Sequence, residues 1–238
     1  MRESTSPLTA ARQGTDGGSP VDWESESLLC RWLATVLGTE LDDASLERYR
    51  NGEAAPFFDY LRDAHGMTHE VARLDEALSR LVMLRAPRLE LAADFTELFL
   101  VDARSGAPPY ASLYAGGEGG FHGEAAERME ARLAEAGYAV RREVAEPADH
   151  LAVMLDYLAS RLQMLAEAEG LAREEIRQDV GAFLEHELCS WLPQLVSRSA
   201  AVKTVSDFYP GLLALTDAYC HRLAEGAATP EAEQDLIS

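Results

Sequence analysis

From Trp23 onward, large apolar residues recur at spacings of three and four, and no segment sustains the period-two alternation of a half-buried strand. A chain patterned this way buries its apolar stripes by packing helix on helix, so the expected fold class is all-α. The first period runs through Trp23, Leu28, Leu29, Trp32, Leu33, Val36 and Leu37 and ends at Gly38. Two short helices are expected around Ala44–Tyr49 and Phe57–Ala64, broken by Asn51-Gly52 and Pro56. Thr68 offers an N-cap for a helix with Val71, Leu74, Leu78, Leu81 and Val82 on one face, and Pro87 is read as its stop. Leu91, Phe95, Leu98 and Phe99 mark the next helix.

Further helices are expected over about 123–136, ending at Gly137, and then from Pro147, placed as a first-turn proline, through Leu151, Met154, Leu155, Leu158, Leu162 and Leu165. Three more follow at about 172–188, 191–199 and 206–223. Between them, 102–123 is the longest stretch without a period; it holds Pro108-Pro109 and the glycine run at 116–120, and is read as a mobile connection. A natural break falls near 138–146. The expected organisation is therefore a flexible tail (1–21), an N-terminal helical subdomain (22–142), a hinge with a C-terminal helical subdomain (143–225), and a C-terminal tail (226–238).

Charge narrows the function. The chain has 238 residues with 41 acidic against 21 basic, a formal net charge of −20, and Lys203 is its single lysine. Phosphate contacts need a basic face, so nucleic-acid binding is not expected. Lysine-dependent P-loop or Schiff-base chemistry has almost no candidate. No apolar run reaches the ~18 residues that a bilayer span needs, and the start lacks the apolar core of a signal peptide. Cys30, Cys189 and Cys220 are far apart and odd in number, as suits a reducing compartment. A cytoplasmic protein is expected.

Known chemistries are then excluded by motif. There is no Cys-x-x-Cys pair for structural zinc and no Gly-x-Ser-x-Gly elbow. The glycines at 116–120 are not followed by Lys-Ser/Thr, so they do not make a P-loop. His65 and His69 are four apart, but Gly66 interrupts the helix that would align them, and they are read as exposed loop histidines. In Glu185-His186-Glu187, consecutive helical positions point in different directions, which leaves His186 at the surface. No catalytic constellation, metal site or cofactor site is expected.

One segment stands out: Glu146-Pro147-Ala148-Asp149-His150, at the head of the most apolar helix. A proline in the first turn would place Asp149 near the third helical position, where its carboxylate accepts from free backbone N–H groups and faces the positive end of the helix dipole. A carboxylate beside His150 would raise the imidazole pKa toward neutrality. The segment is either a well-capped helix start or a rigid junction that displays an Asp and a His into a groove.

Taken with other segments, this pentapeptide resembles the Glu-Pro-x-Asp-His signature of the TorD/DmsD family of chaperones for molybdenum-containing redox enzymes. Upstream, Asp94-Phe95-Thr96-Glu97-Leu98-Phe99 is similar to that family's aromatic-x-x-Leu-Phe element, and Pro108-Pro109-Tyr110-Ala111-Ser112-Leu113-Tyr114 to its Pro-Pro-Tyr-x-Ser-x-Tyr loop. Downstream, Phe183, Leu184, Leu188, Trp191 and Pro193 resemble a Phe-Leu-x-x-His-Leu-x-x-Trp-x-Pro pattern, followed by Asp207-Phe208-Tyr209. Order and spacing agree over roughly 25–224. The chain departs from the pattern at Glu187, where the family often has His, and at Leu195, where an aromatic residue is common.

The resemblance implies a two-part helical chaperone and not an enzyme. Its partners would be the apoenzyme of a molybdopterin oxidoreductase and that protein's twin-arginine leader, held in the cytoplasm until the cofactor is inserted. Glu146, Pro147, Asp149 and His150, with Pro109, Tyr110, Ser112 and Tyr114, are the implied client-binding residues; Phe95, Leu98, Phe99, Leu188, Trp191 and Pro193 are the implied framework. Some relatives are associated with guanine nucleotide, and a hinge makes a domain-swapped dimer an alternative to a monomer. The competing functions are a helical adaptor with no role toward leaders and a nucleotide-binding or hydrolysing protein.

Overall fold

A computed structural model describes residues 21–115, 123–138 and 146–229. The expected glycine run at 116–120, the subdomain boundary at 142/143 and all but Val21 of the N-terminal tail lie outside those residues. Among the described residues there are ten α-helices and no strand: α1 (Trp23–Gly38), α2 (Asp43–Arg50), α3 (Ala55–His65), α4 (Thr68–Val82), α5 (Pro87–Phe95), α6 (Glu124–Glu135), α7 (Leu151–Glu167), α8 (Gly170–Phe183), α9 (Leu192–Ser199) and α10 (Phe208–Ala228). None is long and apolar enough to cross a membrane.

Helix α1 starts where Asp22 accepts the Ser25 amide at 3.2 Å, and its apolar stripe packs along α7. Their backbones approach closely enough that a Cβ on Gly38 would sit 3.0 Å from the Ala152 Cβ. Ser27 ties the pair further, donating its hydroxyl to the Ala159 carbonyl at 2.8 Å. Helix α10 is buried on most of its circumference, with Phe208, Tyr209, Leu212, Leu213, Leu215 and Tyr219 no more than 1% exposed, because α4, α5, α8 and α9 all pack against it. Helices from both halves of the sequence thus share one hydrophobic core.

Two buried carboxylates inside this core are well paired. Glu26 on α1 is 1% exposed and accepts from the Tyr60 hydroxyl at 2.6 Å and the Tyr219 hydroxyl at 2.7 Å, with His65 Nε2 at 2.9 Å. His65 is therefore a half-buried partner at the end of α3, not the exposed loop residue that the sequence suggests; His69 is exposed on α4. Asp94 on α5 accepts from the Val205 amide at 2.6 Å, the Ser206 amide at 2.8 Å and the Ser206 hydroxyl at 2.7 Å, which fixes the approach to α10.

Several boundaries differ from the sequence expectation. Gly66, at φ +61°, closes α3 and lets the Met67 amide return to Leu61 O at 3.0 Å. Met67 is fully buried and occupies the N-cap position of α4, so Thr68 is the first helical residue and caps nothing. Pro87 does not stop α4, which ends at Val82; it opens α5, where a missing N–H costs nothing. Helix α10 continues to Ala228, into the stretch read as a tail. Two helices also end in single π turns, α5 over Thr96–Leu100 and α8 over Leu184–Leu188.

Candidate functional site

The segments 107–114 and 146–152 meet as an isolated antiparallel pair centred on Tyr110 and His150. The Ala111 amide donates to Asp149 O at 3.1 Å, and the Leu151 amide donates to Pro109 O at 2.8 Å. Two prolines lead into this pairing and fix an extended approach that leaves the Pro109 carbonyl free to accept. What the sequence suggests is a mobile connection is, over this stretch, a strap: Ala107, Pro108, Pro109, Ala111, Ser112 and Tyr114 are buried. It is anchored at one end by the Ala107 amide on Leu98 O at 2.6 Å, beside the π turn after α5. Arg198 Nε holds the neighbouring Gly106 carbonyl at 2.6 Å.

The pairing moves the start of α7 from its expected place. Leu151 must give its N–H to Pro109, so the helix begins there, with His150 as N-cap and Pro147 in the turn before it. Asp149 is consequently not inside the first helical turn. Its Oδ2 accepts the Ser112 amide at 2.8 Å, across the strap. His150 takes over the cap: its Nδ1 accepts the Ala152 amide at 3.1 Å. That bond needs an unprotonated Nδ1, and burial lowers the His150 pKa despite the opposing pull of Glu146 and Asp149. The expected upward shift is therefore reversed, because the imidazole is only 7% exposed.

At the rim, Tyr110 donates its hydroxyl to Glu146 Oε2 at 2.6 Å, and its ring stands edge-on to His150, with centroids 5.0 Å apart. Burial, and after it Glu146, raises the Tyr110 pKa and keeps the phenol a donor. Glu146 is exposed and Tyr110 half-buried; beneath them Asp149 is 1% exposed. Asp149 Oδ1 and Ser112 Oγ are buried with no hydrogen-bond partner among the described residues. A buried carboxylate oxygen without a donor is costly, and it is the atom here most in want of one. Chemically, the strap offers two carboxylates, one at the rim and one below it, and a neutral imidazole whose Nδ1 is already used as an acceptor.

Tyr114 closes the far end of the strap. It is 8% exposed, donates to Pro108 O at 3.0 Å, and stacks on Trp191 with centroids 5.7 Å apart; burial pushes its pKa up to about 12. Trp191 in turn donates from Nε1 to Glu187 O at 2.6 Å. Among the framework residues, Phe95 and Phe99 pack edge-on with Tyr209, with centroids 5.0–5.5 Å apart. Leu98, Leu188 and Leu195 are fully buried, whereas Pro193 is exposed in the first turn of α9.

Glu187, the departure from the family pattern, has a clear partner. Arg128 on α6 reaches it with Nε and Nη2 at 3.1–3.2 Å. One turn on, Arg132 pairs with Asp179 at 3.1 Å and lies over the Phe183 ring at 5.4 Å. The Arg128–Arg132 spacing of four is legible in the sequence as one helical face; its acidic counterpart on α8 is not. Among the described residues no group of three His, Cys, Asp or Glu side chains is placed to hold a metal ion.

Residues 62–197 match the family model described as nitrate reductase delta subunit. The chain is 37% identical over 190 residues to the chaperone protein TorD of Vibrio vulnificus (strain YJ016), covering 79% of this chain and 88% of that one. It is 35% identical over 193 residues to the chaperone protein TorD of Vibrio parahaemolyticus, again covering 79% and 88%. Among solved structures, it is similar to a putative redox enzyme maturation protein from Archaeoglobus fulgidus, at a TM-score of 0.38 and 19% identity, covering 74% of this chain and 91% of that one.

Proposed function

Because this chain belongs to the TorD family of chaperone proteins, we propose that it serves the maturation of a molybdopterin oxidoreductase, binding the client's twin-arginine leader and apoenzyme in the cytoplasm until the cofactor is inserted. It is a chaperone and not an enzyme.

The observation that carries the reading is the Tyr110–His150 pairing, which gathers Glu146, Asp149, Tyr110 and Ser112 from two distant segments and leaves Asp149 Oδ1 without a donor among the described residues. A cationic N–H donor from the leader satisfies that oxygen once the Tyr110–Glu146 bond at the rim gives way. The net charge of −20 steers a basic leader toward the protein, and salt weakens that attraction. A micromolar complex needs about 8 kcal/mol. Three or four apolar leader side chains, buried at ~1.5–3 kcal/mol each and set against ordering costs, supply it.

Neither guanine nucleotide nor a domain-swapped dimer is favoured by any contact among the described residues. The test of the function is co-purification from the native cell: a molybdopterin oxidoreductase with its leader attached is the expected companion, and its consistent absence under expression of the client contradicts the reading.

A further inference from the structure

Helix α6 is fastened to the rest of the molecule in an unusual way. It buries two large apolar side chains, Met129 and Leu133, with Ala125 and Ala126 beside them. Much of its remaining hold is ionic. Arg128 grips Glu187, a carboxylate 8% exposed, and Arg132 pairs with Asp179, which Arg161 of α7 also contacts at 3.1 Å. Under Arg132 lies an aromatic floor, Phe183 with Tyr157 at 5.0 Å between centroids. The same helix packs on the 111–113 turn, so this trough adjoins the strap that carries Asp149.

The exposed side of this fastening resembles a ligand more than a core helix. Two arginines one turn apart face two carboxylates, and two apolar residues, each next to one of those arginines in sequence, enter the trough. A leader of the proposed client presents related chemistry, two arginines and an apolar run, with its arginines adjacent where those of α6 are four apart. We propose that α6 occupies in cis the trough that the client leader takes, with leader arginines replacing Arg128 and Arg132 at Glu187 and Asp179, and the leader's apolar run replacing Met129 and Leu133. This rests on the leader-binding reading above and adds where the leader lies: its amino-terminal donor at the strap, its arginine pair and apolar run in the trough.

The energetics allow the exchange. Partly exposed ion pairs contribute little each, and two large apolar side chains are a small anchor compared with those of α7 or α10. A competitor in cis lowers apparent affinity by the fraction of molecules with the trough open. Weakening the competitor therefore tightens leader binding, the opposite of what removing a contact residue does.

The probes are a synthetic peptide with two adjacent arginines before a leucine- and alanine-rich run, and the same peptide with both arginines replaced by glutamine. Amide exchange on the wild-type full chain is read with and without the first peptide. Exchange over 128–135 is expected to accelerate several-fold on binding, while α7 is unchanged. The double variant Arg128→Gln/Arg132→Gln is expected to bind the arginine peptide roughly threefold to tenfold tighter than wild type does, and the glutamine peptide more weakly than the arginine one. Binding to wild type with α6 exchange unchanged or slowed overturns the cis-occupancy inference and leaves leader binding standing. No binding of either peptide to wild type or variant overturns both. The wild-type exchange measurement needs no variant to fold.

Discussion

Asp149 receives the Ser112 amide on one carboxylate oxygen, at 2.8 Å, and holds the other buried and, among the described residues, without a donor. The first oxygen is structural, since it pins the strap to the head of α7. The second is the one that the proposed leader binding would use. Separating them is a matter of choosing the substitution. Asp149→Asn keeps an acceptor for the Ser112 amide and removes the charge; Asp149→Ala leaves that amide buried and unpaired, at a cost of about 1–3 kcal/mol. Urea unfolding of both variants is expected to place the alanine protein well below the asparagine one. Equal loss in the two would mean that the carboxylate's role is not the Ser112 bond.

His150 predicts a pH dependence. Its folded pKa is lowered by burial, so between the folded value and the unfolded value of about 6.5 the unfolded chain binds the proton and the folded chain does not. Stability is then full above about pH 6.5 and declines as the pH falls toward the folded value, because the unfolded chain takes up the proton while the folded chain keeps Nδ1 bare to cap Ala152. His150→Asn retains a capping acceptor and no titration. Denaturation midpoints at about pH 7.5 and about pH 5.5 should differ more in wild type than in the variant. An identical difference in both would assign the pH response to other groups.

Much of this fold is legible in the sequence, and the parts that are not share one cause. Helices α1, α4, α7 and α10 announce themselves because each has a face that must be buried. The pairing of Tyr110 with His150 does not, because it joins segments with no period of their own through main-chain bonds. That pairing moves the start of α7 to Leu151 and turns Asp149 from a helix residue into a strap partner. The same holds for Met67: local rules favour Thr68 as the cap, but the burial of Met67 against the core sets the register. His65 looks solvent-exposed beside Gly66 until Glu26 is found facing it. The motif residues were recognisable by resemblance; which of them touch, and through which atoms, was not.

Glu26 offers a test of the core. Its carboxylate satisfies Tyr60, Tyr219 and His65 from two other helices. Glu26→Ala strands those donors in a buried site and is expected to cost about 3–5 kcal/mol, a large part of the margin of an ordinary domain. A melt within about 1 kcal/mol of wild type would show that the three donors find other partners.

Tyr114 separates framework from recognition. Tyr114→Phe removes one hydrogen bond, to Pro108 O, and keeps the stack on Trp191. The expected loss is about 0.5–1.5 kcal/mol of stability, with leader affinity unchanged. A selective fall in affinity in a protein of near-normal stability would return Tyr114 to the recognition surface.

On the proposed function, the strap recognises a basic leader through the Asp149 carboxylate. Calorimetric titration of the client's leader peptide into wild type and Asp149→Asn, at low and at high salt, tests it most directly. Wild type is expected to bind with roughly micromolar affinity, weakened by salt, and the variant with at least a tenfold loss at low salt, where one buried charge-assisted bond is missing. Wild-type affinity in Asp149→Asn, or no detectable binding at ~100 micromolar peptide, would contradict it.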